Sequence, residues 1–363
     1  MRSLKLLFVS TPVGALGSGL GGGVELTLRN LAIALQQRGH SITVVAPEGS
    51  QLDNFSLVEI VGSLQTTAQS QGRDAPITLP SNSVLSNLWS YVRQVQNCYD
   101  IIVNFAYDWL PFYLTPFFET PIAHLVSMGS LSEAMDQAIV DVADSFPNTI
   151  AVHSHAQAQT FSMGFTYFNL QNGIDLSQYE FCPNPDEFLA WVGRIAPEKG
   201  LEDAVQAAAK TGLPLKIFGV IQDPAYWAQI QADYPQAAME WMGFLPTQAL
   251  QQALGRAQAL LMTPKWVEAF GNVAIEALAC GVPVIAYRRG GPAEIIQSGY
   301  TGWLVEPDSV EGLVQAIAKI PQISRTICHR EAEMTYSLAA LGERAETWLA
   351  RILPHELAEE SAE

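Results

Sequence analysis

Short apolar segments alternate along this chain with longer segments of helical pattern, and this alternation constrains the fold more than any other feature. Residues 6–10 lead through a glycine loop at 17–23 into a helical pattern at 24–38, and the apolar segment 42–46 follows. Farther on, the apolar segment 188–192 precedes another loop and helix. Strands that alternate with helices are typical of parallel sheets. We therefore predict an α/β fold with a parallel sheet in each half of the chain.

Two carboxylates, Glu268 and Glu276, lie eight positions apart on either side of the turn Phe270-Gly271-Asn272. Glu276 is the only charged residue of the apolar stretch after the turn, which predicts a buried helix. A buried carboxylate needs hydrogen-bond donors, and sugar hydroxyls can donate to it. The start of the helix would offer backbone N–H groups to an anion. The segment favours a nucleotide-sugar site, although an ordinary helix with Glu276 in solvent also fits the pattern.

A second motif brings two cations to the end of a predicted strand. The apolar segment 188–192 is followed by Gly193, which permits a sharp exit, and then by Arg194 and Lys199. Ligands of open α/β sheets bind at the carboxyl ends of strands, and a diphosphate needs compact positive charge there. Arg194 can form bidentate hydrogen bonds to phosphate oxygens, and Lys199 can act as a point charge. The alternative is a solvated turn without a ligand.

Together, the two motifs resemble the pattern of glycosyltransferase family 4, and the resemblance extends over most of the chain. It includes the glycine loop, the segment 170–175 at the entry to the second half and the segment 301–305. The resemblance implies the GT-B architecture, in which two Rossmann-like domains face each other across a cleft. It also implies transfer of a sugar with retention of anomeric configuration.

The resemblance further implies a donor site for UDP-glucose, mainly in the second half of the chain. Arg194 and Lys199 would bind the diphosphate, while Glu276 and Glu268 would accept hydrogen bonds from ribose and hexose hydroxyls. The nucleotide base would contact backbone groups of the segments 215–219 and 242–245. The predicted donor-binding residues are Gly22, Arg194, Lys199, Gly219, Gly243, Phe244, Glu268, Phe270, Gly271, Asn272 and Glu276.

No Asp-x-Asp pair occurs in the chain, and we therefore predict a reaction without a metal and without a cofactor besides the donor substrate. Arg194, Lys199 and the helix start before Asn272 would neutralise the leaving diphosphate as oriented charges. The resemblance implies that the leaving phosphate helps to deprotonate the acceptor.

The glycine loop also matches the dinucleotide fingerprint, with Gly17, Gly19 and Gly22 in register and Glu48 after the next strand. Six residues separate Ser10 from Gly17, too many for the tight first turn of that fingerprint. Nothing else in the chain indicates hydride transfer, so a nicotinamide dehydrogenase is the disfavoured enzyme.

An aromatic-rich segment in the first half, residues 104–118, is a candidate wall for a flat acceptor, although core packing explains such a cluster equally well. Many family members place a histidine where this chain has Tyr107, directly before Asp108, so either residue could take over its role. His124 is interpreted as a core histidine. The predicted catalytic residues are Glu268, Arg194, Lys199 and Asp108. The predicted acceptor-binding residues are Gly23, Tyr107, Asp108, Trp109 and Met128.

The segments 8–14, 104–113 and 190–194 are similar to those of cyanobacterial family members that transfer glucose from UDP-glucose to tetrahydrobiopterin. This similarity implies a small soluble acceptor, with tetrahydrobiopterin as the leading candidate. One alternative is a glycosyltransferase of polysaccharide or glycolipid synthesis. Another is a nucleotide-sugar-binding sensor without catalysis, which the missing histidine makes conceivable and the intact Glu268 disfavours.

Charge and composition disfavour several other partners. The net charge of −17 argues against nucleic acid. Residues 1–170 hold six Lys or Arg against twelve Asp or Glu, which disfavours membrane association through a basic surface. No apolar segment is long enough for a membrane span or a secretory signal. The four cysteines form no close pair that would indicate zinc or a disulfide framework, so we predict a cytoplasmic protein.

The length of 363 residues predicts two domains of about 170 residues each. We assign residues 1–170 to an acceptor-binding domain and residues 171–337 to a donor-binding domain. We expect residues 338–353 to form a helix that crosses back to the first domain, and residues 354–363 to be an acidic, disordered tail.

Overall fold

The computed structural model describes residues 2–353, which fold into two compact units. The first unit contains the chain up to Gly173 and the segment that starts at Leu338, and the second unit is Ile174–Ser337. The predicted tail at 354–363 lies outside the described residues.

The first unit is built on a seven-stranded sheet with the order β3-β2-β1-β4-β5-β6-β7, in which neighbouring strands are parallel. The strand order reverses between β1 and β4, so these two strands flank the switch point of the sheet. The strands are β1 (Lys5–Val9), β2 (Ser41–Pro47), β3 (Ser56–Ile60), β4 (Ile101–Asn104), β5 (Ile122–Leu125), β6 (Ile150–Val152) and β7 (Phe168–Asn169). The helices are α1 (Gly23–Gln37), α2 (Val84–Val95), α3 (Trp109–Leu114), α4 (Glu133–Ser145) and α5 (His155–Ala158).

The second unit repeats this plan with a six-stranded parallel sheet of order β10-β9-β8-β11-β12-β13, and its switch point lies between β8 and β11. The strands are β8 (Leu189–Val192), β9 (Leu215–Phe218), β10 (Met239–Gly243), β11 (Ala259–Met262), β12 (Val284–Tyr287) and β13 (Gly302–Val305). The helices are α6 (Leu201–Thr211), α7 (Pro224–Asp233), α8 (Thr247–Gly255), α9 (Asn272–Ala279), α10 (Pro292–Ile295), α11 (Val310–Ile317) and α12 (Arg325–Thr335). The last helix of the chain, α13 (Leu338–Ile352), belongs to the first unit.

The apolar strands form because they are covered on both faces. In β1, Leu6 and Phe8 lie in the apolar cluster that contains α1, whereas Leu7 and Val9 lie in the cluster that contains α2. Successive side chains of a strand point to opposite faces of the sheet. A continuous apolar run is therefore what a parallel strand buried on both faces requires.

The chain passes between the units after Gly173, slightly beyond the predicted boundary at residues 170 and 171. Leu170 is buried in the core of the first unit, and its amide donates to the Val152 carbonyl. Asn30 Nδ2 donates to the Gly173 carbonyl at 2.9 Å. The Ile174 amide is the first to bond within the second unit, since it donates to the Tyr336 carbonyl at 2.8 Å.

Helix α13 packs in the core of the first unit. Leu341, Ala345 and Trp348 are buried in the same cluster as α1. Trp348 Nε1 donates to the Asn148 carbonyl at 2.9 Å, and His40 Nε2 lies 3.0 Å from Glu346 Oε1. The helix therefore supplies part of the cover for the first sheet. Among the described residues, no helix has both the length and the apolar character that crossing a membrane requires.

We expect Trp348→Ala to lower the free energy of unfolding by about 3–5 kcal/mol, because it removes a fully buried indole from that core. Glu343→Ala, at an exposed position of the same helix, should change it by less than about 0.5 kcal/mol. Urea unfolding at equilibrium measures both. Similar losses in the two variants would show that α13 contributes no core packing.

Candidate functional site

The predicted donor residues of the second unit follow four neighbouring strands. Arg194 follows β8, Gly219 follows β9, Gly243 ends β10 and Glu268 follows β11. Because these strands are parallel, their carboxyl ends lie along one edge of the sheet. The fold thus brings residues from four distant parts of the sequence to one edge of the second sheet.

Glu268 and Lys199 form an ion pair at this edge. Lys199 Nζ lies 2.6 Å from Glu268 Oε2, and the side chains are only 19% and 20% exposed. Trp266 Nε1 donates to the same oxygen at 3.1 Å, and Lys199 Nζ lies 4.9 Å from the Trp266 ring centroid. Burial favours a higher pKa for Glu268, but Lys199, Trp266 and the charge of Arg194 together lower that pKa. Glu268 is therefore an ionised acceptor for hydroxyl groups at neutral pH.

Arg194 lies close enough for its charge to act on Glu268. Its Nη1 donates to Gln222 Oε1, and its Nη2 lies 3.2 Å from Glu198 Oε1. The side chain is 33% exposed, so it can still reach a ligand. Each of the two predicted diphosphate-binding cations thus has a carboxylate partner within the chain.

Close backbone contacts hold the loop that carries Glu268. The Gly291 amide donates to the Glu268 carbonyl at 2.8 Å. A Cβ atom on Gly290 would lie 2.5 Å from the Glu268 carbonyl oxygen, and one on Gly291 would lie 2.3 Å from the Phe270 oxygen. Only glycine permits this approach. Earlier in the loop, Lys265 is held by ion pairs, and its amide donates to the Glu198 carbonyl.

Glu276 lies on α9 and is 8% exposed, which confirms the predicted buried helix and excludes the alternative of a solvated side chain. Tyr179 Oη donates to Glu276 Oε1 at 3.2 Å. Burial raises the pKa of Glu276, and the hydrogen bond from Tyr179 opposes that rise. The helix begins after Gly271, whose φ of 97° favours glycine.

Gly219, predicted to contact the base, has a φ of 142°, and a Cβ atom there would lie 1.9 Å from the Gly193 carbonyl oxygen. Its amide donates to the Gly243 carbonyl at 2.8 Å, and its carbonyl accepts from Trp241 Nε1 at 2.9 Å. Both backbone groups of Gly219 therefore have a partner within the chain, and its carbonyl oxygen can accept a second hydrogen bond. Phe244 is 69% exposed and can contact a ligand.

In the first unit, Asp108 lies directly before α3, beyond the carboxyl end of β4. Gln65 Nε2 donates to Asp108 Oδ1 at 2.6 Å, and the Gln65 amide donates to the Pro12 carbonyl. Burial raises the pKa of Asp108 to about 7, although the hydrogen bond from Gln65 acts in the opposite direction. Asp108 thus lies beside the loops that follow β1 and β3.

Tyr107, one of the predicted acceptor-binding residues, is largely buried in this structure. Tyr107 is 8% exposed, and its Oη accepts a hydrogen bond from the Leu131 amide at 3.2 Å. The aromatic ring lies in an apolar cluster of the first unit, because apolar burial stabilises it there. The predicted neighbours Trp109 and Met128 are only partly buried. Met128 Sδ accepts from Gln69 Nε2 at 3.2 Å.

The aromatic segment is divided between core and surface. Phe105 and Phe112 are buried, whereas Tyr113 and Phe117 are more than half exposed. Trp109 stacks on Tyr113 with ring centroids 4.5 Å apart and an interplanar angle of 18°. The buried rings therefore contribute to the core, and a stacking wall is restricted to the remaining ones.

His124 is confirmed as a core histidine, since it is 0% exposed. Its Nδ1 lies 3.1 Å from Asn104 Nδ2, and its Nε2 lies 2.9 Å from Thr115 Oγ1. Burial lowers the pKa of His124 to about 3. The imidazole is neutral and structural.

Four partners of the predicted residues were not predicted from the sequence. Gln65, Tyr179 and Gln222 lie 43, 97 and 28 positions from the residues they contact, so no local pattern indicates them. Trp266 is the exception, because it lies two positions before Glu268.

Comparison with known proteins bears on the second unit most directly. Residues 177–332 match the family described as Glycosyl transferases group 1. The match covers most of the second unit. The chain is 26% identical to glycogen synthase of Mycobacterium tuberculosis, with 82% of each chain covered. It is 35% identical to D-inositol 3-phosphate glycosyltransferase of Rhodococcus erythropolis over 38% of this chain and 34% of that protein.

The similarity in fold extends beyond residues 177–332. The structure of HepE from Anabaena in complex with UDP and glucose matches with a TM-score of 0.74 and 19% identity, and covers 96% of this chain and 100% of HepE. The predicted fold class of two Rossmann-like domains in the GT-B architecture is thereby confirmed.

We expect Asp108→Asn to change how stability depends on pH. A folded-state pKa of about 7, above the ordinary 3.8, means that ionisation costs stability as pH rises through this range. The variant should therefore gain stability relative to wild type, on the order of 1 kcal/mol or more, between about pH 5.5 and about pH 8.5. Urea unfolding at both pH values measures the gain. The exposed Asp53→Asn is the control, and the same gain there would contradict the assignment.

Proposed function

We propose that this protein is a retaining glycosyltransferase that moves a hexose from a nucleotide-sugar to an acceptor hydroxyl. The observation that carries the proposal is that Arg194, Lys199 and ionised Glu268 lie together at the switch point of the second sheet, within the residues that match the group 1 family. Two cations and one carboxylate acceptor match a ligand with a diphosphate at one end and hydroxyls at the other.

The donor we propose is UDP-glucose. Lys199 and Arg194 neutralise the diphosphate, Glu268 accepts hydrogen bonds from the hexose and Glu276 accepts them from the ribose. The protein HepE, which has a similar fold, is described in complex with UDP and glucose, and this supports the choice. Tyr179 orients Glu276 through its hydrogen bond, so the carboxylate needs no rearrangement to accept a further donor.

In the proposed reaction, the bond between the anomeric carbon and the diphosphate oxygen breaks while a bond from that carbon to the acceptor oxygen forms. The proton of the acceptor hydroxyl passes to the leaving phosphate. Lys199 and Arg194 stabilise the negative charge that develops on the leaving group. These fixed cations take the part that a metal ion would otherwise play.

For the acceptor, the leading proposal is the side-chain hydroxyl of a reduced pterin, tetrahydrobiopterin. Asp108 and the partly buried Trp109 lie beyond the end of β4, and Gln65 reaches Asp108 from the loop after β3. A flat heterocycle with polar edges suits the aromatic ring and the polar pair. A second candidate is a glycan or glycolipid acceptor, which the similarity to glycogen synthase favours. A sensor that binds the nucleotide-sugar without transfer is the third, and ionised Glu268 disfavours it.

The donor site predicts that Glu276→Ala and Lys199→Ala weaken UDP binding at least several-fold, because a hydrogen bond to a charged group is worth about 1.5–3 kcal/mol. Isothermal titration calorimetry measures the affinity, and circular dichroism checks that each variant is folded. Glu311→Ala, exposed on α11, should bind UDP like the wild type. An unchanged affinity for UDP in both site variants would contradict the proposed donor site.

Mass spectrometry of the protein incubated with UDP-glucose and tetrahydrobiopterin should detect addition of one hexose to the pterin. Glycogen in a parallel reaction tests the second candidate, and the reaction should proceed in excess chelator. Transfer to glycogen alone would overturn the pterin proposal, and loss of transfer that magnesium restores would overturn the metal-free reaction. UDP-glucose binding with neither transfer nor hydrolysis would favour the sensor.

A further inference from the structure

The glycine loop before α1 has its backbone donors engaged within the chain. The amides of Ser18 and Gly22 donate to the carbonyls of Ala15 and Gly19, and the Leu20 amide donates to Ser18 Oγ. The remaining three amides of residues 17–22 donate to one side chain, that of Glu25. Every N–H group in this stretch therefore has an acceptor.

The carboxylate of Glu25 accepts hydrogen bonds from three amides of this loop. Its Oε2 accepts from the amides of Gly17 at 2.7 Å and Gly19 at 3.3 Å, and its Oε1 accepts from the amide of Gly21 at 2.7 Å. A Cβ atom on Gly21 would lie 2.8 Å from Glu25 Cγ. Successive backbone N–H groups that converge in this way form a concavity for an anion. Here the carboxylate of the chain itself fills the concavity.

We propose that Glu25 occupies the anion cradle of the glycine loop and restricts the acceptor to molecules that carry no phosphate or carboxylate near this loop. This inference rests on the proposed transferase function and specifies its acceptor class. A phosphate on the acceptor would have to displace Glu25 from three charge-assisted hydrogen bonds. It would then lie next to the displaced carboxylate, and like charges repel.

The surroundings of the loop add to this selectivity. The loop follows β1, and Asp108 follows β4, the strand next to β1 at the switch point. Two acidic side chains therefore lie beyond adjacent strand ends. An uncharged polyhydroxylated molecule, such as a reduced pterin or a neutral glycan, is compatible with them, whereas a sugar phosphate is not.

Nuclear magnetic resonance of protein labelled with 15N-glycine tests the cradle directly, because Gly17, Gly19 and Gly21 report on it residue by residue. Inorganic phosphate and D-inositol 3-phosphate are the probes. In the wild type, the three signals should not respond to either probe. In Glu25→Ala they should shift saturably with millimolar phosphate, and Glu25→Gln, which keeps the shape but not the charge, should respond more weakly.

Glu59→Ala provides a matched control, since within residues 2–353 Glu59 Oε2 accepts from a single backbone amide, that of Gly49 at 2.6 Å. Its removal should create no phosphate site. A saturable shift of the three loop signals with phosphate in the wild type would overturn the proposal. So would the absence of any shift in Glu25→Ala when the other glycine signals show that the variant is folded. The readout requires no transfer, so a failed transferase assay and a failed cradle are distinguished.

Discussion

The ion pair between Lys199 and Glu268 is the interaction on which the second-unit site depends. A largely buried carboxylate is costly unless a charge and hydrogen bonds compensate for its lost hydration. Lys199 and Trp266 supply that compensation and keep Glu268 ionised. The glycines that contact the Glu268 backbone and the ion pairs of Lys265 hold the loop in the position where this compensation is possible.

The two units stabilise acidic side chains beyond strand ends in different ways. Both place acidic side chains beyond strand ends at the switch point of a parallel sheet. In the second unit, cations accompany the carboxylate, and the edge suits a ligand that carries both phosphates and hydroxyls. In the first unit, backbone amides donate hydrogen bonds to Glu25, and the side-chain amide of Gln65 donates one to Asp108. We propose that the edge of the first unit takes an uncharged hydroxylated ligand, whereas the edge of the second unit takes the nucleotide-sugar.

Much of the fold could be predicted because its signals are local. Apolar runs such as that around Phe8 predict strands buried on both faces, and the pattern around Glu276 predicts a buried helix. The donor edge was predictable to the extent that charged residues follow strands. The hydrogen bond from the Leu131 amide to the Tyr107 hydroxyl could not be predicted, because nothing in the neighbouring sequence indicates it.

The sequence by itself determined the parallel α/β architecture, the helix that buries Glu276 and the location of Arg194 after a strand, because strand and helix periodicity depend on neighbours in the chain. Only the tertiary structure decided the partners: Lys199 for Glu268, Tyr179 for Glu276 and the loop amides for Glu25. Whether a carboxylate is buried, ionised or already hydrogen-bonded depends on the atoms that surround it. Those atoms come from segments that only the folded chain brings together.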